Sequence, residues 1–172
     1  MDSLFDLLKL ILPAGIVFLT TYYLIKSFLD KEKANKAIDL KLANQAVITP
    51  IRLQAYERVV LFLERINPNS IVMRIGKTGS ASTFQGELLK TIRSEFEHNL
   101  SQQIYMSTRA WDAAVKAKEE TIKIINVAGT RVGSDASAME LAQAVLAVTS
   151  QLNELPTKVA VEILKKEIGK EF

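Results

Sequence analysis

Cysteine is missing from all 172 residues. Its absence removes disulfides, thiolate metal sites, cysteine nucleophiles and thioether lipid anchors together. Histidine occurs once, at position 98, which leaves most catalytic and transition-metal constellations short of ligands or bases. Glycine (7) and proline (4) are sparse, and there is no low-complexity tract or internal repeat, so wholesale disorder is not expected. Charge of one sign is also lacking. The formal net charge is +3, residues 1–41 carry six lysines against five acids, and the remainder carries 16 basic against 14 acidic residues. No strongly basic face of the kind that binds nucleic acid follows from this balance, and no nucleic-acid partner is expected.

One long hydrophobic run is present. Between Lys9 and Lys26 lie 16 uncharged residues with ILPAGIVFL at their centre, and the run extends from Leu4 to Leu29 with charges only near its ends. About 20 apolar residues cross the ~30 Å hydrocarbon core, and terminal lysines snorkel to the headgroups. Tyr22 and Tyr23 fall where an interfacial aromatic belt lies, and Pro13 is tolerated in a membrane helix. A cleavable signal peptide fits poorly, because Asp2 and Asp6 replace a basic start and no small-residue cleavage site follows. The expectation is an uncleaved single-pass anchor over residues 1–29. Lys26, Lys31, Lys33, Lys36 and Lys41 follow the span, so the positive-inside rule puts the N-terminus outside and the C-terminal part in the cytoplasm, at a cell inner membrane.

Residues 30–49 are rich in helix formers and read as a helical stalk, interrupted at Val47, Ile48 and Thr49 before Pro50. Residues 50–172 read as a bundle of four to five helices. Pro50 suits a helix start, and Leu53, Tyr56, Val59, Val60, Phe62, Leu63 and Ile66 form an apolar stripe ended by Asn67-Pro68-Asn69. SIVMRI is a helical turn or an extended connector. Residues 76–86 form a loop, with Ser80, Ser82 or Thr83 as the next helix cap. From Glu87 to Ala128 the stripe Leu89, Ile92, Phe96, Leu100, Ile104, Trp111, Val115, Ile122 and Ile125 weakens near Ser101–Ser107 and at Lys118. Either one helix of roughly 60 Å spans the segment or two meet near Met106–Thr108, and a compact domain favours two. Ser137 and Glu140 make a capping box for a helix with Leu141, Val145, Val148 and Leu152 on one side, and Pro156 opens a last helix with Val159, Ile163 and Ile168 inward. The fold class is all-α.

Few residues suggest chemistry. Gly76-Lys77-Thr78 resembles the end of a phosphate loop, but Ile71 stands where the earlier glycine belongs. Glu95-x-x-His98 has di-iron spacing, yet one chain with a single histidine cannot supply the pair that such a site needs, which leaves only a site shared across a homodimer. Asn99-Leu100-Ser101 matches a glycosylation sequon that a cytoplasmic helix makes irrelevant, and Arg131 among glycines suggests an anion contact that loop geometry explains equally well. The richer feature is a polar band of Glu95, Glu97, His98, Asn99, Gln102 and Gln103, followed by Trp111. On a helix His98 neighbours Gln102 and Asn99 neighbours Gln103, while Leu100 and Ile104 continue the apolar stripe. The band reads either as an exposed amide-rich face or as a hydrogen-bonded network that fixes register or grips a partner. Trp111 reads as a core anchor, or as a hot spot if exposed.

At QAYERVVLFLERINPNSIV and SEFEHNLSQQIYMSTRAW the chain resembles a family of small bacterial single-pass membrane proteins with no established function. The resemblance covers most of residues 45–130. It implies a membrane-anchored cytoplasmic helical domain and transfers no catalytic residues.

The expected function is therefore that of a non-enzymatic accessory, scaffold or adaptor subunit of an inner-membrane complex, without cofactor or metal. Its expected partners are other membrane-complex proteins and the lipid bilayer, with self-association through the stalk or long helix as a subordinate expectation. The alternatives are a lipid-organising protein acting through its lysine stalk, and an enzyme using His98 with Glu95 or Glu97.

Overall fold

The computed structural model describes the backbone of residues 2–171 and the side chains of residue 9 and residues 11–170. The side chains of Asp2, Leu4 and Asp6, invoked for the start of the run, lie outside the described residues. The chain is all-α, with helices α1 (Asp2–Ile66), α2 (Pro68–Arg74), α3 (Ala81–Asn99), α4 (Thr108–Thr130), α5 (Ala138–Ser150) and α6 (Pro156–Glu171). A 3-10 helix, Leu100–Tyr105, stands between α3 and α4. Among the described residues there is no strand, only an isolated antiparallel bridge between Ser80 and Ser137. The chain divides into two compact units, residues 1–49 and residues 50–172.

The first unit is helix throughout its described length. Its apolar side chains from Ile11 to Leu29 are exposed, and the most apolar 18-residue window has none of its residues buried. That stretch is long and apolar enough to cross a membrane. The Thr20 hydroxyl donates to the Ile16 carbonyl at 2.7 Å. Tyr22 and Tyr23 meet edge to face. The interruption expected at Val47–Thr49 does not occur, because α1 is assigned without a break through Pro50 to Ile66. Branched side chains weaken a helix by only a few tenths of a kcal/mol each. Pro50 removes a single N–H bond, and the residues that follow it are held by packing.

In the second unit the last turns of α1 bury Ala55, Tyr56, Val59, Phe62, Leu63 and Ile66. Leu53, expected in that stripe, is exposed. Asn67 caps α2 by accepting from the Asn69 N–H at 3.1 Å, and Pro68 occupies its first turn, so SIVMRI is helical up to Arg74, with Ile75 the extended residue that ends it. Ser80 caps α3 through the Thr83 N–H. The helix therefore begins at Ala81, inside the expected loop, and carries Gly86 within it. Gly79 supplies the one left-handed backbone conformation here, φ +81°. The Ala81 N–H then reaches the Ala136 carbonyl at 2.8 Å and the Ala138 N–H reaches Gly79 at 3.1 Å, clasping the starts of α3 and α5 together.

The stretch from Glu87 to Ala128 is indeed two helices, with Ser107 capping α4 through the Ala110 N–H. The buried face of α4 is built mostly of small residues: Ala110, Ala114, Ala117, Thr121, Ile124, Ile125 and Ala128. Small residues let α5 and α6 pack closely against it. The capping box of α5 is complete. Glu140 accepts from the Ser137 N–H at 2.7 Å, and those bonds hold its carboxyl below the usual 4.5. Leu152 falls beyond the end of α5 and is exposed. In α6 the inward face is Thr157, Ala160, Val161 and Leu164, so Val159, expected inward, faces solvent. The lysines on both sides of this stripe allow either choice of face, and packing against α4 selects the alanine-centred one.

Candidate functional site

The polar band divides into parts with different surroundings. Glu95, on α3, is the best held. Arg65 from the end of α1 places one guanidinium nitrogen 3.2 and 3.4 Å from its two carboxylate oxygens, and Arg74 of α2 approaches to 3.9 Å. The glutamate side chain is 20% exposed, against 58% for Arg65, so this junction of α1, α2 and α3 is only half withdrawn from water. Arg74 also donates to the Arg65 carbonyl at 3.2 Å, capping the end of α1.

His98 and Asn99 turn back on their own helix. The His98 Nδ1 lies 2.7 Å from the Ser94 carbonyl oxygen, which can only accept, so Nδ1 donates. Asn99 donates to the Glu95 carbonyl at 2.8 Å. Both are second donors to carbonyls inside α3, a turn before its end. The 3-10 helix that follows has a tighter turn, which abolishes the four-residue neighbour relation expected for His98–Gln102 and Asn99–Gln103. Gln102 reaches only the adjacent Ser101 hydroxyl, at 3.4 Å, while Glu97 and Gln103 are exposed. The same change of helix turns Leu100 and Ile104 outward, Ile104 to 75% exposure, so they do not continue the apolar stripe.

Trp111 belongs elsewhere. Its ring stacks on Phe96 at 5.5 Å with 28° between planes, and Phe96 in turn meets Phe62 at 5.8 Å. Lys118, the residue that breaks the apolar pattern of α4, explains itself here. Its ammonium sits 4.2 Å over the Phe96 ring and pairs with Glu119 at 2.8 Å, with its side chain only 15% exposed. Trp111 is therefore half-buried at the edge of the core.

Arg58, Arg65, Lys90, Glu95, His98 and Asn99 line an open groove of about 700 Å³. Glu87 lines it as well, so three cations stand beside two carboxylates and the hydrogen-bonding groups of His98 and Asn99. Glu95 is already engaged by two arginines, and the Nδ1 of His98 is held by the Ser94 carbonyl. No cluster of three or more metal-binding side chains occurs among the described residues. The Gly76-Lys77-Thr78 segment connects two helices, so it lacks the strand that frames a phosphate loop. Arg131 caps the end of α4 and lies 3.4 Å from the Gln151 amide oxygen. Arg65 and Arg74 escaped the sequence reading because a partner 21 to 30 residues away leaves no local signal. Lys118 did leave one, as a charge inside an apolar stripe.

No curated protein and no solved structure matches the chain. A family model matches residues 2–171, wider than the region that carried the resemblance, and by that match the chain belongs to the family of unknown function DUF7935.

Proposed function

We propose that this protein is a membrane-anchored, non-enzymatic adaptor whose helical domain works by contact with another membrane-complex protein. The observation that carries the reading is the exposed apolar surface of α1 from Ile11 to Leu29, in a chain whose other unit closes its own core. Such a surface is costly in water, at about 25 cal/mol per Å², and costs nothing in lipid. The lysines after the span favour a cytoplasmic helical domain at the inner membrane. The Arg58–His98 groove, with its cations and amides, fits a partner's main chain and carboxylates better than a reacting substrate.

Carbonate washing of membranes, followed by mild-detergent extraction and identification of co-purifying proteins, tests the reading. The chain is expected to resist carbonate and to bring a stoichiometric partner with it. A Lys90→Glu/Arg58→Glu variant is expected to lose that partner while keeping its helical content. A chain that extracts without a partner overturns the adaptor reading.

A further inference from the structure

Between the apolar run and the second unit, α1 carries large apolar residues with nothing over them. Leu40 is 66% and Val47 64% exposed, and Ile38, Leu42 and Ile48 are exposed as well. Lipid does not cover this stretch, since Lys31, Glu32, Lys33, Lys36, Asp39 and Lys41 are interleaved with it. Ala37, Leu40, Asn44 and Val47 follow one another at steps of three, four and three, and the next step of four in the sequence reaches Ile51. That is the a/d spacing of a coiled-coil seam, with Ala37 and Asn44 at a and Leu40 and Val47 at d. A single asparagine at an a position is the device by which parallel two-stranded coils fix register, each amide bonding its counterpart across the axis.

We infer that the occupant of this seam is a second copy of the same chain, aligned in parallel. The inference takes the membrane anchor from the proposal above and nothing from its adaptor reading. Two copies in one bilayer present this helix in the same direction and at high local concentration. That compensates for a seam too short to hold a free coiled coil. Like charges oppose it at one point, where Lys36 at g faces Lys41 at e of the other copy, and Lys36 is already paired with Glu32 of its own helix at 2.8 Å. Ile38 and Leu42 lie outside the seam, so they define the competing face.

The absence of native cysteine makes the test direct, because each single substitution introduces the only thiol. Full-length Leu40→Cys, Asn44→Cys and Val47→Cys chains are placed in phosphatidylcholine–phosphatidylglycerol vesicles, washed with carbonate and oxidised. Covalent dimer is expected at about fivefold or more over Asp39→Cys and Ala46→Cys, which fall on the opposite side of the helix. A flat pattern, or a maximum at Ile38→Cys and Leu42→Cys, overturns the inference while leaving the anchor standing. A chain that washes off in carbonate removes the alignment and overturns both. Under a bifunctional amine-reactive cross-linker, which reaches several lysines on each chain, Asn44→Leu is expected to add species larger than dimer. A chain that stays dimeric without Asn44 overturns the register role given to that residue.

Discussion

The two units put the same kinds of side chain to opposite uses. Ile16, Leu19 and Phe28 of the first unit are exposed, whereas Leu63, Phe84 and Leu141 of the second are fully buried. In the first, apolar residues occupy every side of one helix; in the second, they are confined to stripes that face other stripes. Composition therefore does not tell which solvent a helix is built for, but the width of its apolar arc does.

The sharpest way to break this comparison is to charge the first unit. Ile16→Arg with Leu19→Arg costs about 2.5–3.5 kcal/mol of insertion per residue. The variant is expected to leave the membrane pellet without changing the melting of residues 50–172. A loss of both would mean that the units are not energetically separate. Next in size is Leu141→Ala, expected to destabilise the second unit by about 2–5 kcal/mol in chemical denaturation. The matched Leu40→Ala should stay within about 0.5 kcal/mol in the same measurement.

Smaller effects sharpen the account of the second unit. Tyr56 is buried and its hydroxyl donates to Glu167 of α6, so Tyr56→Phe should cost about 1 kcal/mol. Ser137→Ala should likewise cost about 1 kcal/mol by uncapping α5. The carboxyl of Glu140, held below its ordinary 4.5 by Ser137, adds stability that is present above 4.5. That contribution is lost as pH falls through the lower folded-state value, and Glu140→Gln should flatten this part of the pH–stability curve. Gly129→Ala is the smallest. A new Cβ would lie 2.6 Å from the Gln85 side-chain oxygen, displacing it from Asn126, while alanine favours the helix by about 1 kcal/mol. The expected net change is within about 0.5 kcal/mol.

What the sequence made legible was local. Ser137 with Glu140 and the helix end at Asn67-Pro68 depend on residues within a turn of one another, and both were readable, whereas α3 ends at Asn99, before the junction expected near Met106–Thr108. The apolar run was legible for the same reason. The face of α6 was not, because Val159 and Ala160 are equally permitted by its own sequence and α4 decides between them. The continuity of α1 through Pro50 was hidden by a residue that usually marks an end. The candidate site was legible as a polar cluster but not as an arrangement. A switch from α to 3-10 geometry at Leu100 undid its helical neighbours, and the arginines that hold Glu95 come from other elements.

The bridge between Ser80 and Ser137 also bears on the order in which the chain folds. It closes a loop that contains all of α3, the 3-10 helix and α4. Pairing α3 with α4 first brings those ends near each other by a local hairpin, so little further chain entropy is lost when the clasp shuts. That order predicts that the clasp joins late. Substitutions at the clasp should speed unfolding more than they slow folding.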